Sequence, residues 1–161
     1  DVCSSDLKIV HAFRNALVIA ADTRSYQCFH MHRWSELNNF PYGCCDLASN
    51  FLGKYLEENG YAPEIIFVNC PDEVSKFIGA HVFIRLGDYY IDITRNQFND
   101  FNGRVLIEGE YGTLAGLMKR IKRIDPSDVI ERKVDISDAR MPAYELYNFI
   151  KNIADVLMKE S

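Results

Sequence analysis

The segment HVFIRLGDYYIDIT, residues 81–94, decides the fold of this chain because it contains two apolar strands separated by only Gly87-Asp88. Glycine at the first central position of a two-residue loop is the signature of a type II′ hairpin turn. Strands joined in this way pair in one register, which places Leu86 opposite Tyr89. The segment therefore predicts an antiparallel hairpin.

One face of the predicted hairpin is polar. The register places Phe83 opposite Asp92, so His81 and Asp92 become diagonal neighbours on that face. Diagonal neighbours lie about 7 to 8 Å apart at Cα, within reach of a hydrogen bond between imidazole and carboxylate. Such a carboxylate would fix the tautomer of His81 and favour its charged form. The opposite face is apolar: Val82, Ile84, Leu86, Tyr89, Ile91 and Ile93.

Upstream of the hairpin, residues 44–59 predict an amphipathic helix that follows a dense run of turn formers at 38–43. Gly60 is placed to end this helix. The first turn of the helix carries two thiols, Cys44 and Cys45. Its apolar face consists of Leu47, Ala48, Phe51, Leu52, Tyr55 and Leu56.

A thiol at a helix N-terminus lies where unpaired N–H groups and the helix dipole favour the thiolate and can stabilise an oxyanion. With about 100° per residue, Cys44 projects at about −40° and Cys45 at about +60°, against about −10° for the mean of the apolar face. We therefore predict that Cys44 is buried. Cys45, at the border of the core, is the preferred nucleophile, and Cys44 is the alternative.

The order of these elements resembles the transglutaminase-like branch of the papain-like cysteine enzymes. YGCC (42–45) opens a helix, and HVF (81–83) and YID (90–92) follow on two strands, in the order of that group's G-x-C, H and D elements. The segment 40–98 is also similar to small bacterial proteins and to the leader-peptide proteases of lasso-peptide pathways. The resemblance implies an α+β fold with a papain-like (transglutaminase-like) core, in which the cysteine-bearing helix packs on an antiparallel sheet.

The resemblance also assigns roles to residues. Cys45, at the third position of G-x-C, corresponds to the nucleophile, His81 to the base and Asp92 to the orienting acid, in agreement with the helix projection. The backbone N–H of Cys45 would be one oxyanion donor. Asn39 and Gln97 are candidates for a second donor or auxiliary group, although each is also explained as a polar loop residue.

The function implied by the resemblance is that of a cysteine hydrolase, a peptidase or glutamine deamidase, that attacks an amide or peptide carbonyl through a Cys-His-Asp triad. We expect a peptide or protein substrate and no cofactor. Two alternatives stay open: acyl transfer of the transglutaminase type, and a catalytically inactive papain-like binding module. Related sequences often have Trp where this chain has Phe83 and Asp46, which disfavours protein cross-linking.

Two other patterns predict less. Cys28, His30 and His32 alternate and would share one face of a strand, where Cys70 or Cys45 could complete a zinc site. This spacing fits no common zinc motif, so we predict no metal site. The basic run MKRIKR, 118–123, is typical of a solvated helix face, with a phosphate-binding patch as the alternative.

The remaining segments complete an α+β order, with a helix first and strands in sequence. We predict helices at 8–21, 114–124 and 142–159, the last after a turn at Ser137 and Asp138, and strands at 64–69 and 104–107. Segment 22–40 is predicted to be a loop with room for a short strand, 71–77 a short helix or loop, and 95–103 a loop.

The composition bounds these interpretations. The chain has 161 residues, 48% hydrophobic and 25% charged, with a net charge of −5. This is typical of one globular domain, which we place at 8–161. No apolar run reaches the length of about 18 residues that a membrane span needs, and the acidic balance disfavours nucleic acid or an anionic membrane as a partner. We therefore expect a cytoplasmic protein.

Five cysteines, two of them adjacent, do not form a disulfide framework. One of them, Cys3, belongs to DVCSSDL, residues 1–7, which lacks an initial Met and resembles translated sequencing-adapter DNA. We predict that 1–7 is a non-native or disordered leader.

Overall fold

The structure, a computed structural model, describes residues 4–22, 28–138 and 141–160. These residues form five α-helices and seven β-strands. The helices are α1 (Ser4–Asp22), α2 (Trp34–Leu37), α3 (Cys45–Glu58), α4 (Thr113–Ile124) and α5 (Tyr144–Glu160). The strands are β1 (Glu64–Asn69), β2 (Ala80–Leu86), β3 (Tyr89–Asp92), β4 (Leu106–Glu108), β5 (Val129–Arg132), β6 (Ser137–Asp138) and β7 (Met141–Pro142).

Five strands form one antiparallel sheet in the order β4-β3-β2-β1-β5, and β6 pairs with β7 in a separate ribbon. In the central hairpin Leu86 pairs with Tyr89 and Ile84 with Ile91, so the predicted register is confirmed. The turn is also confirmed, because a positive φ of 59° falls on Gly87 and none falls on Asp88, as type II′ requires.

Helices cover both faces of the sheet. Successive strand residues point to opposite faces, so the central strands β1, β2 and β3 contribute to two cores. The larger core joins α1, α3 and α5 to Ile65, Val82, Ile84, Ile91 and Ile93. The smaller core joins α4, through Leu114, Leu117, Met118 and Ile121, to Ile66, Val68 and Phe83.

The cysteine-bearing helix α3 packs on the sheet, as predicted, and Ser49 Oγ donates a hydrogen bond of 3.1 Å to the Val82 carbonyl. Its apolar face belongs to the larger core. The α+β class with an antiparallel sheet is therefore confirmed. The predicted helix 44–59 differs from α3 by one residue at each end.

Gly60 ends α3 in the way its position predicts. Its φ is 91°, and its N–H donates to the Glu57 carbonyl at 3.0 Å while the N–H of Tyr61 donates to Leu56 at 3.0 Å. These two bonds are those of a Schellman cap.

The connecting segments depart from the predictions in two places. Segment 28–40 contains the short helix α2 where a short strand was suggested, and residues 23–27 of that loop lie outside the described part of the chain. The edge strand β5 was not predicted, because only Val129 and Ile130 in it are apolar.

Three predictions in the second half of the chain need correction. Ser137 and Asp138 form strand β6 rather than a turn, and the last helix begins at Tyr144, two residues later than predicted. The strand predicted at 104–107 is β4, which is shifted to Leu106–Glu108.

Helix α1 begins at Ser4 and so includes residues 4–7 of the predicted leader. Within this segment, Tyr61 Oη donates a hydrogen bond to the carboxylate of Asp6. Residues 1–3, including Cys3, lie outside the described residues. The foreign origin of 1–7 stays a prediction.

Replacement of Gly60 by alanine should lower the free energy of unfolding by about 1 kcal/mol, because a residue with a Cβ is disfavoured at its positive φ. Gly116→Ala is the matched control, since Gly116 lies inside α4 and an added Cβ would contact nothing within 4 Å. That variant should gain up to about 1 kcal/mol. Denaturant unfolding measures both changes, and the same sign for the two would contradict this account.

Candidate active site

Three elements meet at one end of the sheet and bring the predicted triad together. Because β2 and β3 are antiparallel, His81 near the start of β2 lies beside Asp92 at the end of β3. Helix α3 begins at the same place, and the thiol of its first residue, Cys45, lies close enough to His81 to raise the pKa of the imidazole. The structure therefore brings together Cys45, His81 and Asp92, which are separated by 36 and 11 residues in the sequence.

His81 and Asp92 form a buried ion pair. The distance from His81 Nε2 to Asp92 Oδ2 is 2.6 Å, and neither side chain is exposed to solvent. The other carboxylate oxygen, Oδ1, accepts hydrogen bonds from the N–H of Thr94 at 3.0 Å and from its hydroxyl at 3.5 Å. Both oxygens of Asp92 are thus engaged, and the orientation of the imidazole is fixed.

Burial alone would lower the pKa of His81, but the charge and hydrogen bond of Asp92 and the contact with Cys45 outweigh it. The pKa of His81 is consequently raised from 6.5 to about 9. The imidazole is therefore charged at neutral pH, and its Nε2 is held by Asp92. This leaves Nδ1 as the ring nitrogen that can exchange a proton with Cys45.

The two adjacent thiols occupy different environments, as the helix projection predicts. Cys44 is fully buried, and its Sγ donates to the Pro41 carbonyl at 3.6 Å. Burial, with smaller contributions from Cys45 and Glu36, raises the pKa of Cys44 to about 12. Cys45 is only partly buried. The geometry therefore favours Cys45 over Cys44 as the reactive thiol.

Of the two auxiliary candidates, Gln97 lies at the site. Its Nε2 is 3.4 Å from His81 Nδ1 and 3.2 Å from Thr94 Oγ1, and its Oε1 accepts from the N–H of Gly43 at 3.4 Å. Gln97 thus bridges the imidazole and the turn that leads into α3.

Asn39, the other candidate, is exposed in that turn, where its backbone carbonyl accepts from the N–H of Tyr42 at 2.8 Å. Within the described part of the chain, no hydrogen bond joins its side chain to the site. The structure therefore favours Gln97 over Asn39 as the auxiliary group.

The start of α3 also supplies backbone donors. The first N–H groups of an α-helix have no partner inside the helix, and the helix dipole places partial positive charge there. Cys45 is the first helical residue, and its N-cap, Cys44, provides no side-chain cap. The Cys45 N–H is thus free of an intrahelical bond and can donate to an oxyanion.

Sequence reasoning missed one aromatic contact of the site. The ring of Phe98 contacts the His81 ring edge-on, with the two ring centroids 4.9 Å apart. The ring of Phe83, two residues after His81 on β2, has its centroid 5.9 Å from that of His81. Phe83 follows from strand alternation, because it shares a face with His81. Phe98 lies in a loop with no periodicity, so no sequence signal places it there.

The alternative metal pattern does not form a strand. Cys28, His30 and His32 lie in consecutive turns, with Cys28 buried and both histidines exposed. Among residues 4–22, 28–138 and 141–160, no group of three or more His, Cys, Asp or Glu side chains could hold a metal ion. Cys70 is buried beside the Ser75 carbonyl at 4.0 Å.

The basic run 118–123 lies on α4 with the solvated face that was predicted. Met118 and Ile121 are buried. The four basic side chains are exposed: Lys119, Arg120, Lys122 and Arg123.

The chain is similar to a protein of Escherichia coli. It is 31% identical over 123 residues to "Uncharacterized protein YuaU" of strain K12 and, to the same extent, to YuaU of strain UTI89. The match covers 75% of this chain and 56% of each relative. The chain thus spans about half the length of the curated relatives it matches. No family model and no solved structure matches it.

Across the described ranges, none of the helices α1 to α5 is both long enough and apolar enough to cross a membrane.

Replacement of Asp92 by Asn should lower the pKa of His81 from about 9, because the carboxylate is the main group that stabilises its charge. An elevated pKa in the folded protein stabilises the fold fully below pH 6.5, and this stabilisation is lost as the pH rises through about 9. The unfolding free energy of the wild type should therefore fall over that range more than that of Asp92→Asn. NMR titration of the His81 ring and denaturant unfolding at both ends of the range measure the two effects.

Asp88→Asn is the control, because it removes an exposed carboxylate from the turn of the same hairpin. It should leave the His81 titration unchanged. An identical His81 pKa in the wild type and in Asp92→Asn would show that the ion pair is not the cause.

Proposed function

We propose that this protein is a cysteine hydrolase with a papain-like (transglutaminase-like) core that attacks an amide or peptide carbonyl and breaks its C–N bond. The observation that carries the proposal is the continuous contact from Cys45 through His81 to Asp92, with the carboxylate and imidazole fully buried. A buried Asp that orients a His beside a partly exposed thiol at a helix N-terminus is the arrangement that nucleophilic acyl transfer requires.

In the first step, Cys45 acts as a thiolate paired with the charged His81. The sulfur attacks the carbonyl carbon of the substrate, and the C=O electron pair moves to oxygen. The C–N bond then breaks, and the departing amine takes the proton from His81 Nδ1. The product of this step is a thioester on Cys45.

In the second step, neutral His81 accepts a proton from water as the water attacks the thioester carbonyl. The C–S bond breaks, the carboxylic acid leaves, and Cys45 returns to the thiolate beside a charged imidazole. Peptidase and deamidase activity share these steps and differ only in whether the amine that leaves belongs to a peptide bond or is ammonia. Acyl transfer would replace water by an amine.

Two donors are available for the oxyanion. The N–H of Cys45 lies at the positive end of α3, and the Gln97 amide lies within 3.4 Å of the imidazole that faces the thiol. A rigid donor at this position stabilises negative charge as it develops on the carbonyl oxygen.

Alkylation tests whether Cys45 is activated. Iodoacetamide at near-neutral pH should label Cys45 at least about tenfold faster than Cys28, Cys44 or Cys70, because a thiolate beside an imidazolium reacts where buried thiols do not. His81→Ala should remove most of this advantage. Intact-protein mass spectrometry with peptide mapping gives the rate at each cysteine.

Cys44→Ala is the matched control and should leave the Cys45 rate unchanged. Labelling of Cys45 at the rate of the buried cysteines, together with no effect of His81→Ala, would exclude a hydrolase. That outcome would support the inactive binding module.

Acylation tests the role of Gln97 separately. With p-nitrophenyl acetate as a generic acyl donor, Gln97→Ala should slow acetylation of Cys45 by about 10² to 10³-fold, because the tetrahedral intermediate loses one donor. Iodoacetamide alkylation forms no oxyanion, so its rate should stay within about twofold. Asn39→Ala should change neither rate. Equal loss of both reactions in Gln97→Ala would mean that Gln97 positions His81 instead.

A further inference from the structure

A cavity borders the turn that carries the cysteines. It has a volume of about 330 Å³ and is lined by Arg14 from α1, by Phe40 and Pro41 from the turn, and by Asn96 and Arg104. The triad does not use any of these residues. Arg14 and Arg104 both line this cavity, so a ligand bound there has to complement two positive charges.

Arg14 is the unusual member of this cavity, because it is a buried cation without a carboxylate. The residue is only 4% exposed. Its Nε donates to the Ile93 carbonyl at 3.0 Å, its Nη2 lies 3.5 Å from Asn96 Oδ1, and its guanidinium lies over the ring of Phe40 at 5.1 Å. Among the described residues, none supplies it with an acidic partner.

Other partly buried arginines of the chain differ in this respect. Arg33 is paired with Glu36 at 2.6 Å, and Arg95 with Asp100 at 2.7 Å. A buried cation is costly unless it is paired, so the chain normally places an acid beside each one. Arg14 lacks that acid and faces a cavity instead.

The charge at the cavity is positive. Burial and then the nearby Arg104 lower the pKa of Arg14 to about 10, so the guanidinium is still charged at neutral pH. Arg104 is exposed and its Nη2 donates to Asn15 Oδ1 at 2.9 Å. Asp22 also lines the cavity, but it is exposed and within the described residues forms no ion pair with either arginine. An anion between the two arginines would relieve their repulsion.

Two residues in the wall of the cavity connect it to the candidate active site. Pro41, in its wall, accepts the hydrogen bond from Cys44, the residue before the nucleophile. Asn96, in the same wall, precedes Gln97, which contacts His81. Arg14 is also close enough to Cys44 to influence the pKa of its thiol.

We propose that Arg14 and Arg104 form a subsite for a carboxylate of the substrate, either an acidic side chain or the C-terminus of a peptide. As a substrate subsite it rests on the proposed function. A planar guanidinium held by Ile93 and Phe40 presents its remaining N–H groups in a fixed fork, which matches the two oxygens of a carboxylate. The apolar part of the wall, including Val18 and Phe40, suits the methylene groups that adjoin it.

Binding tests this proposal on the Cys45→Ala protein, in which residue 45 cannot be acylated. The probes are N-acetylglutamic acid α-amide against N-acetylglutamine α-amide, and N-acetylalanine against N-acetylalaninamide. In ¹⁵N-labelled protein, the acid of at least one pair should shift the Arg14 side-chain and Asn96 signals, and its amide should not. The first pair represents an acidic side chain and the second a C-terminus.

Arg104→Gln should weaken binding of the acid probe by roughly tenfold, the loss expected for one charged hydrogen bond. Arg104 is exposed, so this variant should fold normally. Arg14→Lys keeps the charge but loses the fork and should weaken binding at least as much. Arg123→Gln, which removes an exposed arginine from α4, is the matched control and should have no effect.

Equal shifts from the acid and the amide of both pairs would overturn the proposal, as would unchanged affinity in both Arg14→Lys and Arg104→Gln. Tighter binding of inorganic phosphate than of either acid would overturn the assignment to carboxylates. An inert Cys45 in the alkylation test leaves this binding measurement unaffected, so failure of the subsite and failure of the hydrolase are distinguishable.

Discussion

The buried pair of His81 and Asp92 is the interaction on which the rest of the site depends. Two charges without solvent exposure are tolerable only when they are paired and the remaining polar atoms are satisfied. Here the hairpin register supplies the pairing, and Thr94, two residues after Asp92, supplies the remaining hydrogen bonds. A shift of one residue in that register would turn either side chain to the other core. The same constraint therefore fixes both the fold of the hairpin and the orientation of the imidazole.

The pair of adjacent cysteines shows how a helix start separates two identical groups. Cys44, the N-cap, is buried against the Pro41 carbonyl, and Cys45 begins the helix and meets His81. One step of about 100° around the helix is enough to make one thiol part of the core and the other accessible. Burial keeps the pKa of Cys44 high, so its thiol stays protonated at neutral pH and is not a second thiolate nucleophile.

The parts of the structure that sequence predicted are those set by local rules. Turn chemistry at Gly87 gave the hairpin register, and helical periodicity gave α3 and the burial of Cys44. The parts that were missed depend on contacts between distant segments. Strand β5 is recognisable only from its pairing with β1, and the bond from Arg14 to Ile93 joins residues 79 positions apart. No pattern near Arg14 distinguishes it from an ordinary polar residue of an amphipathic helix.

Local charge rather than net charge governs what this site can attract. The chain as a whole carries −5, which disfavours an anionic partner at long range, but such effects are screened beyond about 8 to 10 Å at physiological salt. The candidate site contains a charged imidazole with its own carboxylate, and the adjoining cavity contains a guanidinium without one. The charge of the imidazole is already neutralised by Asp92, which fits the proposed role of His81 in proton transfer. The guanidinium of Arg14 has no acidic partner among the described residues, and its burial is offset by two hydrogen bonds and the ring of Phe40. An anion bound in the proposed subsite would therefore be recognised by contact.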